Sequence, residues 1–396
     1  MNKIKIKNLK EAADRIRLAV KNKENIILYG DSDMDGIASV VILQETIKSL
    51  GGNITAVAFP DRENDGYGIN KKALEFLKSH VPALFITLDL GIANVKEVEI
   101  ANSIGFEVII VDHHQVLDSL PNAKIIVDPQ QKDDEYPFKQ LCNGGLTFKL
   151  CKEILGENLS ENLKNSFLEL TALATISDMV PQVDENRIFI EEGLRSLKNT
   201  YRPGLKVFLD ILGQGEVVSG GYMKIISALN SAESINFQNE SYVLLTNPSL
   251  QKCEELAENL LGKVTLKQFK IQQITQEVER RISQKPPARN ASHNDVGGNE
   301  TIIFEGDPAW KLTLAGSVAS IICNAHEKPT FIFRKKDTES CGSVRSPKGT
   351  NSVEAMKTCK DILITYGGHP QASGFRLKNE NLEEFKDRLN KYFNKV

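Results

Sequence analysis

Three carboxylates offer the first chemistry in this sequence. Asp31, Asp33 and Asp35 stand two residues apart, after the apolar run Ile26-Ile27-Leu28-Tyr29 and before Gly36 and a second apolar run, Ile37 to Leu43. Acids this crowded repel one another, and a hard divalent cation with oxygen ligands relieves that repulsion. Gly36 allows the tight turn by which a buried strand passes its carboxylates to the start of a helix. Two more apolar runs also end in chemistry: Ala83 to Leu88 precedes Asp89, and Val108 to Val111 precedes Asp112-His113-His114. One imidazole of that pair can join the acids on a metal while the other faces a substrate.

Taken alone, each group has plainer readings. The triplet copies the opening of an EF-hand calcium loop, but Ile42 stands at the twelfth position, where a glutamate is needed, and a strand enters where a helix should. Asp33-Met34-Asp35-Gly36 after a strand also resembles a haloacid-dehalogenase phosphatase, with Ile37-Ala38 where a threonine is expected. A solvated acidic turn accounts for the triplet by itself, and surface or capping positions are the commoner fate of a lone His-His pair. Acids at three strand ends of one sheet favour the metal reading.

Positioning them requires a parallel sheet. Candidate strands at 26–29, 54–59, 83–88, 107–111 and 124–127 alternate with helical patterns at 37–50, 71–78 and 95–104, closed by Gly51-Gly52 and Gly105. Such alternation predicts an α/β fold with helices on both faces and ligands at the carboxyl ends of the strands. Helices dominate from Gly144 to Leu212, and 251–283 reads as one long charged amphipathic helix connecting two domains. The polar stretch 285–299 reads as a mobile loop. A second, smaller α/β unit follows, with strands at 301–304 and 330–333 and a helix at 316–326. The expected domains are 1–245, a connecting helix over 246–284, and 285–396, with the active cleft between the two domains.

Composition sets wider limits. With 396 residues, 41% hydrophobic and 26% charged, the chain suits a two- or three-domain globular protein. No apolar stretch reads as a signal peptide or membrane span. Six scattered cysteines without a Cys-x-x-Cys pair suit reduced thiols in a cytoplasm. The net charge of −3 excludes coating of nucleic acid by bulk positive charge. Two bound divalent ions would reverse its sign, so attraction to a phosphate backbone would be local and metal-dependent.

Together these motifs resemble the DHH phosphoesterases, and within them the RecJ-like single-strand exonucleases. Gly30-Asp31-x-Asp33-x-Asp35-Gly36 is similar to the first motif, Leu88-Asp89-Leu90-Gly91 to the second, Asp112-His113-His114 to the third, and Ala174 to Pro181, containing Asp178, to the fourth. Cys341 to Ser346 and Gly367 to Phe375 resemble the substrate-binding motifs of the DHH-associated domain. Glycines before a histidine let backbone N–H groups approach a phosphate, and an arginine adds a bidentate partner. The resemblance implies Asp31 and Asp33 on one ion, Asp35, His113 and Asp178 on the other, and Asp89 bridging them. It implies His114 at the scissile phosphate, Asp112 orienting the imidazoles, and Arg62, Asn230, Ser343, Arg345, Gly367, Gly368 and His369 on the substrate. Two ions, Mn²⁺ before Mg²⁺, suit ligands that are mostly carboxylates.

The expected activity is metal-dependent 5′-to-3′ hydrolysis of single-stranded DNA to nucleoside 5′-monophosphates. RNA or short oligonucleotides are alternative substrates, and replication or repair proteins are candidate partners. Two alternatives stand. One is a nanoRNase or 3′-phosphoadenosine 5′-phosphate phosphatase, favoured by Ser234 where the family carries a phosphate-binding arginine and by a chain that ends without an oligonucleotide-binding barrel. The other is an inactive replication scaffold, disfavoured because all seven motif ligands are present.

Overall fold

The computed structural model describes residues 5–116, 119–213, 220–284 and 301–394, so the predicted loop at 285–299 lies outside the described residues. It contains two compact units, residues 1–264 and 265–396.

The first unit begins with α1 (Leu9–Asn22), β1 (Asn25–Gly30), α2 (Met34–Ser49), β2 (Ile54–Ala58), α3 (Lys71–Leu77), β3 (Ala83–Leu88), α4 (Val95–Ile104), β4 (Phe106–Val111) and β5 (Ile125–Val127). The five strands form a sheet in the order β2-β1-β3-β4-β5, with every pairing parallel. Alternate residues of each strand feed two cores. Ile26, Leu28, Leu84, Ile86, Ile109 and Val111 pack with α1 and α2 on one face. Ile27, Tyr29, Phe85, Val108 and Ile110 pack with α3 and α4 on the other. Burial on both faces explains why these strands read as continuous apolar runs.

The chain winds from β1 to β2 on one side and returns to β3 on the other, which opens a crevice at the carboxyl ends of β1 and β3. The ladder runs one residue past each strand: Asp31 N–H donates to Leu88 O (3.1 Å), Asp89 N–H to Val111 O (3.0 Å) and Asp112 N–H to Val127 O (3.1 Å). The three acids are therefore fixed in a row by backbone pairing. A helical layer follows, made of α5 (Asn143–Leu155), α6 (Glu161–Ser177), α7 (Asp184–Leu197), α8 (Pro203–Leu212) and α9 (Tyr222–Leu229). The short pair β6 (Ser234–Ile235) and β7 (Gln238–Asn239) and helix α10 (Glu240–Thr246) complete it. The helix predicted over 251–283 is α11 (Leu250–Gln284), one residue longer at each end, and residues 246–249 of the expected connector are the end of α10 and the segment after it. The division between the units falls within α11, after Val264.

The second unit carries β8 (Ile303–Asp307), α12 (Leu312–His326), β9 (Thr330–Lys335), β10 (Glu339–Arg345), α13 (Ser352–Lys357), β11 (Leu363–His369), β12 (Ala372–Lys378) and α14 (Leu382–Phe393). Its sheet runs β11-β12-β10-β9-β8 and is mixed, with only β8 and β9 parallel. The first predicted strand, 301–304, begins two residues later than expected and extends to Asp307. Among the described residues no helix is long and apolar enough to cross a membrane.

Gly36 shows how closely the first turn is built. A Cβ there would stand 2.4 Å from the Asp31 carbonyl oxygen, so backbone would have to move. Gly36→Ala should cost about 1–3 kcal/mol of stability, read as a lower urea midpoint, and should weaken metal binding in parallel.

Candidate metal centre

Asp31 leaves β1 at the crevice, and Asp33 caps α2, its Oδ1 accepting from Asp35 N–H (3.1 Å) and Gly36 N–H (3.2 Å). That cap turns Asp35 inward, where the amino end of α5 meets it. Asn143 N–H donates to Asp35 Oδ2 (2.7 Å) and Gly144 N–H to Oδ1 (2.6 Å). The Leu141 carbonyl, in the turn before α5, lies 2.9 Å from His113 Nδ1. A proton on Nδ1 leaves Nε2 with its lone pair toward the acids. Nε2 lies 3.1 Å from Asp89, 3.5 Å from Asp35 and 3.8 Å from Asp178. Asp178 is placed by the end of α6, which it caps.

Asp89 has a left-handed backbone, φ 64°. For a residue other than glycine this costs on the order of 1–3 kcal/mol and is kept only where the surroundings enforce it. Asp112 works through its neighbours: Oδ1 accepts from His113 N–H (2.8 Å) and meets His114 Nδ1 at 2.7 Å, and Oδ2 accepts from Ile92 N–H (3.0 Å).

The structure brings the predicted ligands together in two main sets. Asp35, His113 and Asp178 form one and Asp31, Asp33 and Asp89 the other, each with donor atoms within 4.8 Å of one another. Asp89, Asp112 and His114 meet the same distance limit.

Electrostatics shows what this costs without a cation. Burial and then the charge of Asp35 push Asp89 and Asp178 well above the ordinary carboxylate range. Burial and then Asp33 raise Asp35 to about 7, against the pull of the two N–H groups of α5. Burial would raise Asp33 too, but the Arg62 charge and hydrogen bond override it and hold the group at about 2. Burial and the neighbouring His114 charge lower His113 to about 3, leaving it neutral. His114 resists burial through Asp112 and rises to about 10. Acids that resist ionisation, a neutral imidazole, and a buried Asp178 Oδ2 with no hydrogen-bond partner among the described residues fit a site for divalent cations.

The predicted substrate residues divide. Arg62 lies on the acids themselves, Nε 2.7 Å from Asp31 Oδ1 and Nη2 2.8 Å from Asp33 Oδ2, with its guanidinium 5.0 Å from the centre of the Tyr67 ring. Asn230 also braces the centre: its Oδ1 accepts from Met34 N–H (2.9 Å) and its Nδ2 donates to Ser177 Oγ (2.8 Å). Ser234 Oγ lies 3.2 Å from Ser32 Oγ and from Asn239 Nδ2.

The others gather in the second unit by strand register. Ser343, Gly374 and Gly367 form one row across β10, β12 and β11, and Arg345, Ala372 and His369 form another two residues along. Both rows share a sheet face; Ser343 is buried there, and a Cβ on Gly316 of α12 would stand 3.1 Å from Arg345 Nη2 and 3.6 Å from Ser343 Oγ. Gly368 has φ 124°, and a Cβ there would meet the Ala372 carbonyl oxygen at 2.6 Å.

Sequence reading missed two groups. Asp128 continues the row of acids past β5, and burial followed by the charge of Asp112 pushes its pKa well up. Its signal was an acid after an apolar run, masked by Pro129. Asn143 gave no signal, because its partners come from distant segments.

Residues 25–175 match the DHH family, N-terminal domain, and residues 299–395 match the DHHA1 domain. The chain thus carries a DHH N-terminal domain followed by a DHHA1 domain. The single-stranded-DNA-specific exonuclease RecJ of Bacillus subtilis (strain 168) is 34% identical over 391 residues, which cover 97% of this DHH chain and 48% of that protein. RecJ of Thermus thermophilus is 28% identical, over 98% of this chain and 54% of the relative. The chain thus spans about half the length of these relatives. The crystal structure of the Thermus thermophilus RecJ in complex with Mn²⁺ superposes with a TM-score of 0.79 at 25% identity, over 100% of this chain and 56% of that one. A structure of exonuclease RecJ bound to manganese gives 0.71 at 26% identity, covering 100% of this chain and 97% of that one.

Because Asp35 holds its proton up to about pH 7, a cation must displace it. Apparent Mn²⁺ affinity should therefore rise with pH across the neutral range, by about tenfold per unit for each proton displaced, with Asp89 and Asp178 carrying the rise beyond the pKa of Asp35. Calorimetric titrations in buffers of different ionisation enthalpy should register proton release at pH 6 that falls as pH rises.

Proposed function

We propose that this DHH protein is a two-metal phosphodiesterase that degrades single-stranded DNA from the 5′ end and releases nucleoside 5′-monophosphates. The observation that carries this reading is the pair of ligand sets flanking Asp89 at one crevice. Asp31 and Asp33 would hold one ion, Asp35, His113 and Asp178 the other, with Asp89 shared. Two divalent ions, Mn²⁺ before Mg²⁺, would supply charge neutralisation at phosphorus and a lowered pKa for the attacking water.

The remaining chemistry falls to side chains. His114 is partly exposed and carries a proton, so it can donate to a phosphate oxygen, while Asp112 fixes its ring. Ser343, Arg345, Gly367, Gly368 and His369 of the second unit would hold the strand through its phosphates, while Arg62 and Asn230, engaged by the acids and by Met34 and Ser177, would brace the ligands. Such backbone contacts are sequence-independent. The manganese-bound RecJ relatives, all six cysteines unbridged and buried, and the acidic site support a metal-dependent nuclease of a reducing cytoplasm, serving repair or replication.

Short oligonucleotides are the second reading. At the position of the family arginine, Ser234 bonds to Ser32 and Asn239 and offers no charge to a terminal phosphate.

A single-stranded oligonucleotide labelled at each end in turn, with Mn²⁺, tests both. Early mononucleotide release from the 5′ label alone is expected. Activity confined to di- and trinucleotides would move the assignment to the second reading, and cleavage inside blunt duplexes would refute single-strand specificity. Asp89→Ala should lower kcat/KM by about 10³-fold, as loss of several kcal/mol of charge stabilisation requires. Chelation should abolish activity, and Mn²⁺ should restore it.

A further inference from the structure

Asn143 is the first residue of α5 and is fully buried, yet it lies in none of the four metal motifs. Its backbone N–H holds Asp35. Its carboxamide reaches the other way, to the last rung between β3 and β4. In the orientation its neighbours require, Oδ1 accepts from Asp89 N–H (2.8 Å) and Nδ2 donates to Val111 O (3.0 Å). The opposite orientation would set donor against donor and acceptor against acceptor at both positions. Asp89 is also the strained residue, φ 64°, and this amide bonds its own N–H. One residue thus ties Asp35, in one ligand set, to the backbone of Asp89, in the other.

A buried asparagine commonly does no more than satisfy local backbone groups. Here the groups satisfied are those that aim the carboxylate between the two sets, and the same residue's main chain aims a carboxylate of the second. We propose that Asn143 is a positioning residue that sets the separation of the two ions by locking Asp89 in its left-handed conformation relative to Asp35. Asp89 N–H also donates to Val111 O (3.0 Å), so truncating the side chain leaves the bond to Asp35 intact and leaves Asp89 N–H with one acceptor in place of two. The predicted effect is on the geometry of the ion pair and on turnover, with strand binding unchanged, since Asn143 has no route to the substrate except through the ligands. The inference rests on the two-ion reading proposed above.

The test is electron paramagnetic resonance of the full chain loaded with Mn²⁺, comparing wild type with Asn143→Ala and Ser39→Ala. Ser39 Oγ lies 2.9 Å from the same amide and donates to Asp35 O (2.8 Å); it serves as a control for loosening around Asp35, since its removal leaves both bonds to the β3/β4 rung in place. Wild type should give the spectrum of a spin-coupled Mn²⁺ pair. Asn143→Ala should lose or alter that coupling and lower kcat by about 10- to 100-fold, as supporting groups around metal ligands do, with KM for the oligonucleotide within about threefold. Ser39→Ala should keep the coupling. If Asn143→Ala fails to unfold cooperatively in chelator, Asn143→Ser, whose shorter side chain cannot span the two partners, is read in its place with the same expectation. A wild-type-like coupled spectrum and kcat in the Asn143 variant would overturn the proposal, as would equal loss of coupling in both variants. Absence of coupling in wild type would instead refute the two-ion reading.

Discussion

Repulsion among buried carboxylates governs this protein. Parallel strands of one sheet all deliver their ends to the same edge, so acids placed after β1, β3, β4 and β5 meet there whether or not their charges agree. The fold answers with fixed dipoles and one guanidinium: the amino end of α5 on Asp35, the cap of α2 on Asp33, and Arg62 across Asp31 and Asp33. These suffice for Asp33 and fall short for Asp35, Asp89 and Asp178, whose proton affinity is the measure of the remaining deficit. A divalent cation is the charge that completes the arrangement.

Much of this was legible in the sequence, for a physical reason. A doubly buried parallel strand must be apolar throughout, so an acid directly after one marks a carboxyl end, and Asp31, Asp89 and Asp112 were found by that mark alone. The spacing of Asp33 and Asp35 into a helix start was legible through capping chemistry. Less of the second unit could be read. β10, β11 and β12 carry Gly342, Ser343, Gly367, Gly368 and Gly374, residues of poor strand propensity, and only their mutual pairing makes them strands. Asn143 and the inward turn of Asn230 were illegible because each answers backbone groups remote in sequence, which no local pattern encodes.

The two units divide the work by kind of interaction. The buried acids gather in the first, where their directions are fixed by many bonds. The second sets glycines beside Ser343, Arg345 and His369 on one sheet face, residues that the proposed reading assigns to the phosphates of a strand.

The ligands also lie far apart along the chain, from Asp31 to Asp178, and are joined by pairings among β1, β3, β4 and β5 and by the docking of α5 and α6. Such contacts form late, since each closes a long loop before it is rewarded. The centre therefore comes into being only when the sheet is complete, and a cation that recognises it recognises the finished fold. Binding then favours the native ensemble by mass action. In the proposed two-ion reading, metal supply would then bear on how much of the chain is folded as well as on its chemistry.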